Sequence, residues 1–136
     1  MFNYYSNSTL TAALPTPLVI SQATTGELPP QDIQIWLGST NASETMQTLV
    51  NPGTDQITVS VSDSAVGTGA SSSQFKLAMS QSALASTTGG NTLNLGTTIQ
   101  GGVANAVSFW LRCEDTTGVA GNKTDCSLTT NLYAVI

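Results

Sequence analysis

The chain has 136 residues, with three cations, eight acids and no histidine, for a formal net charge of −5. That length makes one domain around a single core. Three scattered cations cannot neutralise a run of phosphates or hold an anionic lipid surface, which argues against nucleic-acid and membrane partners, and no apolar run approaches the roughly 20 residues of a spanning helix. Charged residues make up only 8%, while Ser and Thr together contribute 37 residues. An ordinary soluble domain carries about a quarter charged residues. A surface of hydroxyls and amides repels its own copies weakly, which suits a protein covered by neighbours in an assembly. An extracellular β-domain would share the same texture.

Residues 1–16 read as an arm rather than a strand. Phe2, Tyr4 and Tyr5 are followed by a polar stretch, then Pro15 and Pro17. An arm with three aromatics either anchors on a neighbouring subunit or folds back on its own domain, and both readings stand. The first 20 residues lack the positive start and compact apolar stretch of a secretory signal. The expectation is a chain that begins near Met1 and is made in a cytoplasm.

From residue 17 to 136 the dominant signal is period-two alternation, the mark of strands with one face in a core. Leu18–Ile20 supplies a first strand. In DIQIWLG, Ile33, Ile35 and Leu37 share a face. In QITVSVS the apolar set is Ile57, Val59 and Val61. In SQFKLAMS it is Phe75, Leu77 and Met79, and in NTLNLGTTI it is Leu93, Leu95 and Ile99. Ala106–Cys113 and Cys126–Ile136 complete seven strands. Turn chemistry separates them at Leu28-Pro29-Pro30, Asn51-Pro52-Gly53, Gly67–Ser73, Gly89-Gly90-Asn91 and Gly101-Gly102. Residues 39–50 carry a weak helical signal, enough for a turn or two. Seven short alternating strands predict an antiparallel, immunoglobulin-like β-sandwich, with an eight-stranded jelly roll as the alternative.

The last two strands predict a closing hairpin. With Cys113 opposite Cys126, Leu111 faces Leu128, Phe109 faces Thr130 and Val107 faces Leu132. Both cysteines then point into the core at the loop end. Two cysteines and no histidine cannot complete a zinc tetrahedron. A redox site would need Cys-x-x-Cys spacing or an exposed thiolate beside cations. A disulfide between Cys113 and Cys126 or two buried thiols remain. The loop acids Glu114, Asp115 and Asp125, with Asn122, offer oxygen ligands for Ca²⁺, although such tips are usually just solvated and no metal is expected.

Without histidine there is no base for a Ser-His-Asp or Cys-His mechanism. The acids are scattered through turns and strand ends rather than paired across a cleft. Neither Gly89-Gly90 nor Gly101-Gly102 has the lysine and helix of a phosphate loop. The sequence therefore argues against an enzyme, and no cofactor is expected. Trp36 and Trp110 stand opposite in parity to the apolar faces of their strands, so both should point away from the core. Outward tryptophans bury much area at low entropic cost and mark contact surfaces; a covering loop or a stacked sugar would use them equally well.

Phe109-Trp110-Leu111-Arg112, the glycine-bearing loop, and Asn122-Lys123-Thr124 leading into Ser127–Thr130 form a pattern that resembles the last two strands of immunoglobulin-like domains in bacteriophage virion proteins. The Ser/Thr/Gly-rich texture and the short aromatic arm look like small head-decoration, or cement, proteins. The motif covers about the last 30 residues; the remainder is similar in texture only. The resemblance implies a virion protein that binds the outside of a capsid, with the major capsid protein and copies of itself as partners, as a dimer or trimer. Phe2, Tyr4, Tyr5, Trp36 and Trp110 are then the expected contacts. A tail or fibre component and a carbohydrate-binding module that shows Trp36 or Trp110 to a host glycan are the alternatives.

Overall fold

A computed structural model describes residues 1–16, 18, 20–22, 28–66, 71–115 and 121–136. Expected features at Val19, near Gly26, across Gly67–Ala70 and at Gly118 lie outside the described residues. The described chain is all-β. Its strands are β1 (Asn3–Tyr5), β2 (Ile20–Gln22), β3 (Leu28–Gly38), β4 (Thr45–Thr48), β5 (Thr58–Asp63) and β6 (Phe75–Ala78). They continue with β7 (Leu93–Asn94), β8 (Thr98–Gln100), β9 (Val107–Asp115), β10 (Gly121–Lys123), β11 (Cys126–Thr130) and β12 (Tyr133–Val135).

Every pairing is antiparallel. The strands fall into four hydrogen-bonded sheets, in the orders β1-β3-β9-β6, β12-β4-β8, β11-β5-β7 and β10-β2, rather than into the two expected. One core cluster joins three of them. It takes Ile35 and Leu37 from β3, Phe75 and Leu77 from β6, and Phe109 and Leu111 from β9, and packs them with Met46, Val59 and Ile99 from the other sheets. Each such side chain contributes about 1.5–3 kcal/mol on leaving water.

Several expected boundaries move, each for a local reason. Leu28-Pro29-Pro30 is not a turn but the start of β3. The β3–β9 ladder shifts register between Leu28 and Gln31, and such an irregularity is where strand prolines are tolerated. The weak helical stretch holds β4 instead, with Met46 and Thr48 buried and their neighbours half-exposed. NTLNLGTTI divides into β7 and β8 around Gly96, whose φ of 111° only glycine adopts readily. β6 ends at Ala78, so Met79 is exposed rather than in the core.

The closing hairpin does not form. Cys113 sits opposite Gln31 on one side and Phe75 on the other, while Cys126 sits opposite Asp63. Both edges of β9 are already taken, by β3 and β6, so no edge is left for β11. The last expected strand also breaks in two. At Asn131 the side-chain amide donates to the Gln56 carbonyl at 2.9 Å and its oxygen accepts from the Thr58 amide at 3.0 Å. Beyond that anchor the chain leaves β5 and pairs with β4.

Residues 1–16 are tied to the chain's own sheet. β1 pairs with β3, and Ala13 returns beside Tyr5. The side-chain oxygen of Asn7 accepts from the amides of Thr11 and Ala12, both at 3.1 Å, and holds the loop between. Phe2 is only 5% exposed and belongs to the core cluster. Tyr4 meets Phe109 edge-on, with ring centroids 6.2 Å apart. Phe2→Ala should therefore lower the unfolding free energy by about 3 kcal/mol in urea titrations; a side chain waiting for a partner would leave it unchanged.

Candidate functional site

The outer face of the four-stranded sheet gathers the outward residues. Alternation turns Ile35, Leu37, Phe109 and Leu111 inward, so their neighbours point out. Tyr5 lies directly opposite Trp36, and Trp36 opposite Ser108. Trp110 lies opposite Gln34 and Ala78. Trp36 and Trp110 are thus diagonal neighbours on adjacent strands, within reach of large side chains. All three aromatics are half-buried.

The next row carries charge. Asp32 and Arg112 are directly opposed, as are Arg112 and Lys76. Arg112 donates to Asp32 through Nε at 2.7 Å and through a terminal nitrogen at 3.0 Å, a two-pronged bond that fixes both groups. It holds the Asp32 carboxyl below the usual carboxylate range. Gln81 donates to the same carboxylate at 3.1 Å. It precedes a 3-10 turn, Ser82–Ser86, that lies against β6 and β9 and fully buries Leu84 apart from the main core. Lys76 pairs with Glu114 at 2.7 Å. The described charges on this face therefore cancel locally.

Of the five expected contact residues, Tyr5, Trp36 and Trp110 share this face, and Phe2 and Tyr4 do not. Phe2 is core. Tyr4 packs against the core, and its buried hydroxyl, with Thr130 as polar neighbour, lacks a hydrogen bond of normal geometry. Burial raises its phenol well above the usual value.

A second surface went unread in the sequence. Leu132 is 74% exposed, Ile136 72%, Val50 64% and Leu49 56%; Tyr133 and Val135 are exposed beside them. β12 pairs with β4, Leu49 donates to the Leu132 carbonyl at 3.0 Å, and Ile136 and Thr45 exchange two backbone bonds. Alternation then puts Leu49, Leu132 and Ile136 on the outer side of this sheet and Tyr133 and Val135 on the side of Met46 and Thr48. β12 is the edge of its sheet, and residues 126–136 contain no charged side chain. Edge strands are normally blunted by shortness, lysine, proline or a bulge; β12 is only three residues long and carries none of the others.

Of the loop's four oxygen donors expected for Ca²⁺, only Glu114 and Asp125 have described side chains. Glu114 faces Lys76, and the side chains of Asp115 and Asn122 lie outside the described residues. Asp125 instead joins Asp63 and Cys126, with ligand atoms within 4.8 Å of one another. Asp63 is brought there by the β5–β11 register, far away in sequence. Two carboxylates and one thiol fall short of a four-ligand zinc shell. Burial first, then the charges of Asp125, Asp63 and Cys113, push the Cys126 thiol up to about 12. The described residues enclose no pocket. No protein-family model matches the chain, and no curated protein or solved structure matches it.

These shifts set a pH profile. Asp32 and Glu44 are held low when folded, so their contribution is present above the ordinary carboxylate range and is lost as pH falls. Cys126 is held high, so its contribution is present below the ordinary thiol range and is lost as pH rises towards 12. With no histidine, urea titrations should give a level unfolding free energy between about pH 5 and 7. Asp32→Asn should lessen the acid slope, leaving the part due to Glu44, and Cys126→Ser should lessen the alkaline slope, leaving the part due to Tyr4. A slope centred near pH 6.5, the ordinary histidine range, would contradict this assignment.

Proposed function

We propose that this chain is a non-enzymatic structural protein that acts by surface contact inside a larger assembly. In its specific form it decorates and stabilises a phage capsid, with the major capsid protein and further copies of itself as partners. The observation that carries this reading is the set of exposed apolar side chains, Leu49, Val50, Leu132, Tyr133, Val135 and Ile136, at a sheet edge whose strand carries no charged side chain. An isolated monomer gains nothing from such an edge, whereas apolar area of this kind is buried in subunit contacts. The sparse charge of the whole chain suits crowding against neighbours. Many copies, each weakly held, would act together through multivalency. An immunoglobulin-like sandwich is the fold form that accompanies this reading, supported by one core cluster shared between sheets.

A glycan-binding module is the second reading. It is favoured by Tyr5, Trp36 and Trp110 sharing one sheet face with Gln34, Asp32 and Arg112, a face whose charges cancel. Stacking on aromatic rings suits a neutral sugar.

Quantitative mass spectrometry of purified virions against the major coat protein separates these readings. Decoration predicts hundreds of copies of this chain per particle. Tens or fewer move it to the tail or fibres, and absence from particles overturns the virion reading. On a glycan array, binding abolished by Trp36→Ala or Trp110→Ala would establish the sugar reading in its place. Within the decoration reading, Leu132→Glu should cut particle occupancy at least tenfold while leaving the fold intact, because a buried unpaired charge at a contact is costly.

A further inference from the structure

Cys113 and Cys126 lie on strands of different sheets, β9 and β11, that share no hydrogen bonds in the described ladders. Each is 2% exposed, and both belong to the same core cluster. Cys113 has the parity of Phe109 and Leu111, which are fully buried. Cys126 has the parity of Leu128, which packs against the same core. The two side chains therefore enter one core from strands of different sheets, and both are thiols in this structure.

We propose that Cys113 and Cys126 are a cross-linking site, closing into a disulfide that ties the β1-β3-β9-β6 sheet to the β11-β5-β7 sheet when the chain meets a low-molecular-weight disulfide. One cysteine thiolate attacks a sulfur of the oxidant and expels one small thiol, leaving a mixed disulfide. The second thiolate attacks the protein sulfur of that mixed bond and expels the other small thiol. Overall the two cysteines lose two protons and two electrons, and the oxidant is reduced to two thiols.

The surroundings set when this happens. With a thiol held near 12, only about one Cys126 in 10⁵ is a thiolate at neutral pH. Burial also excludes the oxidant, so the finished fold reacts slowly. The bridge closes during folding or transient opening, before the core is sealed. A chain kept in a reducing cytoplasm stays as two thiols, and one that folds or breathes in an oxidising medium is locked. The linkage joins residues 113 and 126, a short loop, and acts mainly by restricting the unfolded chain.

The test is refolding of the reduced, denatured chain in a glutathione redox buffer, followed by alkylation in denaturant and intact mass measurement. The expected product is about 2 Da lighter than the dithiol and takes up no alkylating reagent. Peptide mapping should join the Cys113 and Cys126 peptides. Its melting temperature should exceed that of the reduced chain by about 10 °C. Dithiothreitol should remove the increment, and Cys113→Ser should never show it. Two alkylated cysteines, or two glutathione adducts, in a chain that has regained its circular dichroism spectrum would overturn the proposal. Neither result bears on whether the protein decorates a particle.

Discussion

The double pairing of β9 is the constraint on which the rest of the structure depends. Val107–Asp115 bonds to β3 along one edge and to β6 along the other. A strand held on both edges has its two faces fixed, because a slip of one residue would exchange them. One face sends Phe109, Leu111 and Cys113 into the core. The other presents Trp110 and Arg112. Core and contact face are therefore consequences of a single register, and the Arg112–Asp32 bond adds a polar check on it. β1 then extends the same sheet, which is why the aromatic N-terminus becomes part of the domain. Tyr5 is the aromatic of that segment that reaches the outer face beside Trp36.

The chain's shortage of charge shapes what remains outside. Two of its three cations are engaged in ion pairs on the outer face. Elsewhere the surface relies on short hydroxyl and amide bonds, such as the Asn7 loop and the Asn131 anchor. The terminal edge strand carries no charged side chain, and the Met1–Glu44 ion pair lies beside its end, next to Thr45. The Asn131 anchor ends the run on β5 and transfers the chain to β4, and this transfer brings Leu132, Tyr133 and Ile136 to this edge instead of the core.

Much of this was legible in the sequence. Period-two alternation located β3, β5, β6, β9 and β11, and the same parity put Trp36 and Trp110 on the outer side. What could not be read is which edges pair, since alternation describes faces and is silent about neighbours. The expected Cys113–Cys126 hairpin failed on that point: β6, whose residues pair with β9 across 32 to 38 positions of sequence, holds the edge that the hairpin needed. Aromatic content does not say whose core the rings of Phe2 and Tyr4 enter, so the placement of residues 1–16 has no signature in the sequence. β4 was hidden in a stretch of Ser, Thr, Glu and Met with a helical cast, and tertiary pairing overrode that weak propensity. The break at Asn131 depends on a side chain reaching Gln56 and Thr58, a contact with no local signature. The Asp63–Asp125–Cys126 group came together through the same β5–β11 ladder.

Amide hydrogen exchange of the folded chain, resolved by residue, tests the central role of β9 most directly. The account predicts that amides of β9 from Ser108 to Arg112, with their partners in β3, exchange only through global unfolding, while those of β12 exchange far faster. Fast exchange along β9, or protection shared between β9 and β11 in place of β6, would contradict it.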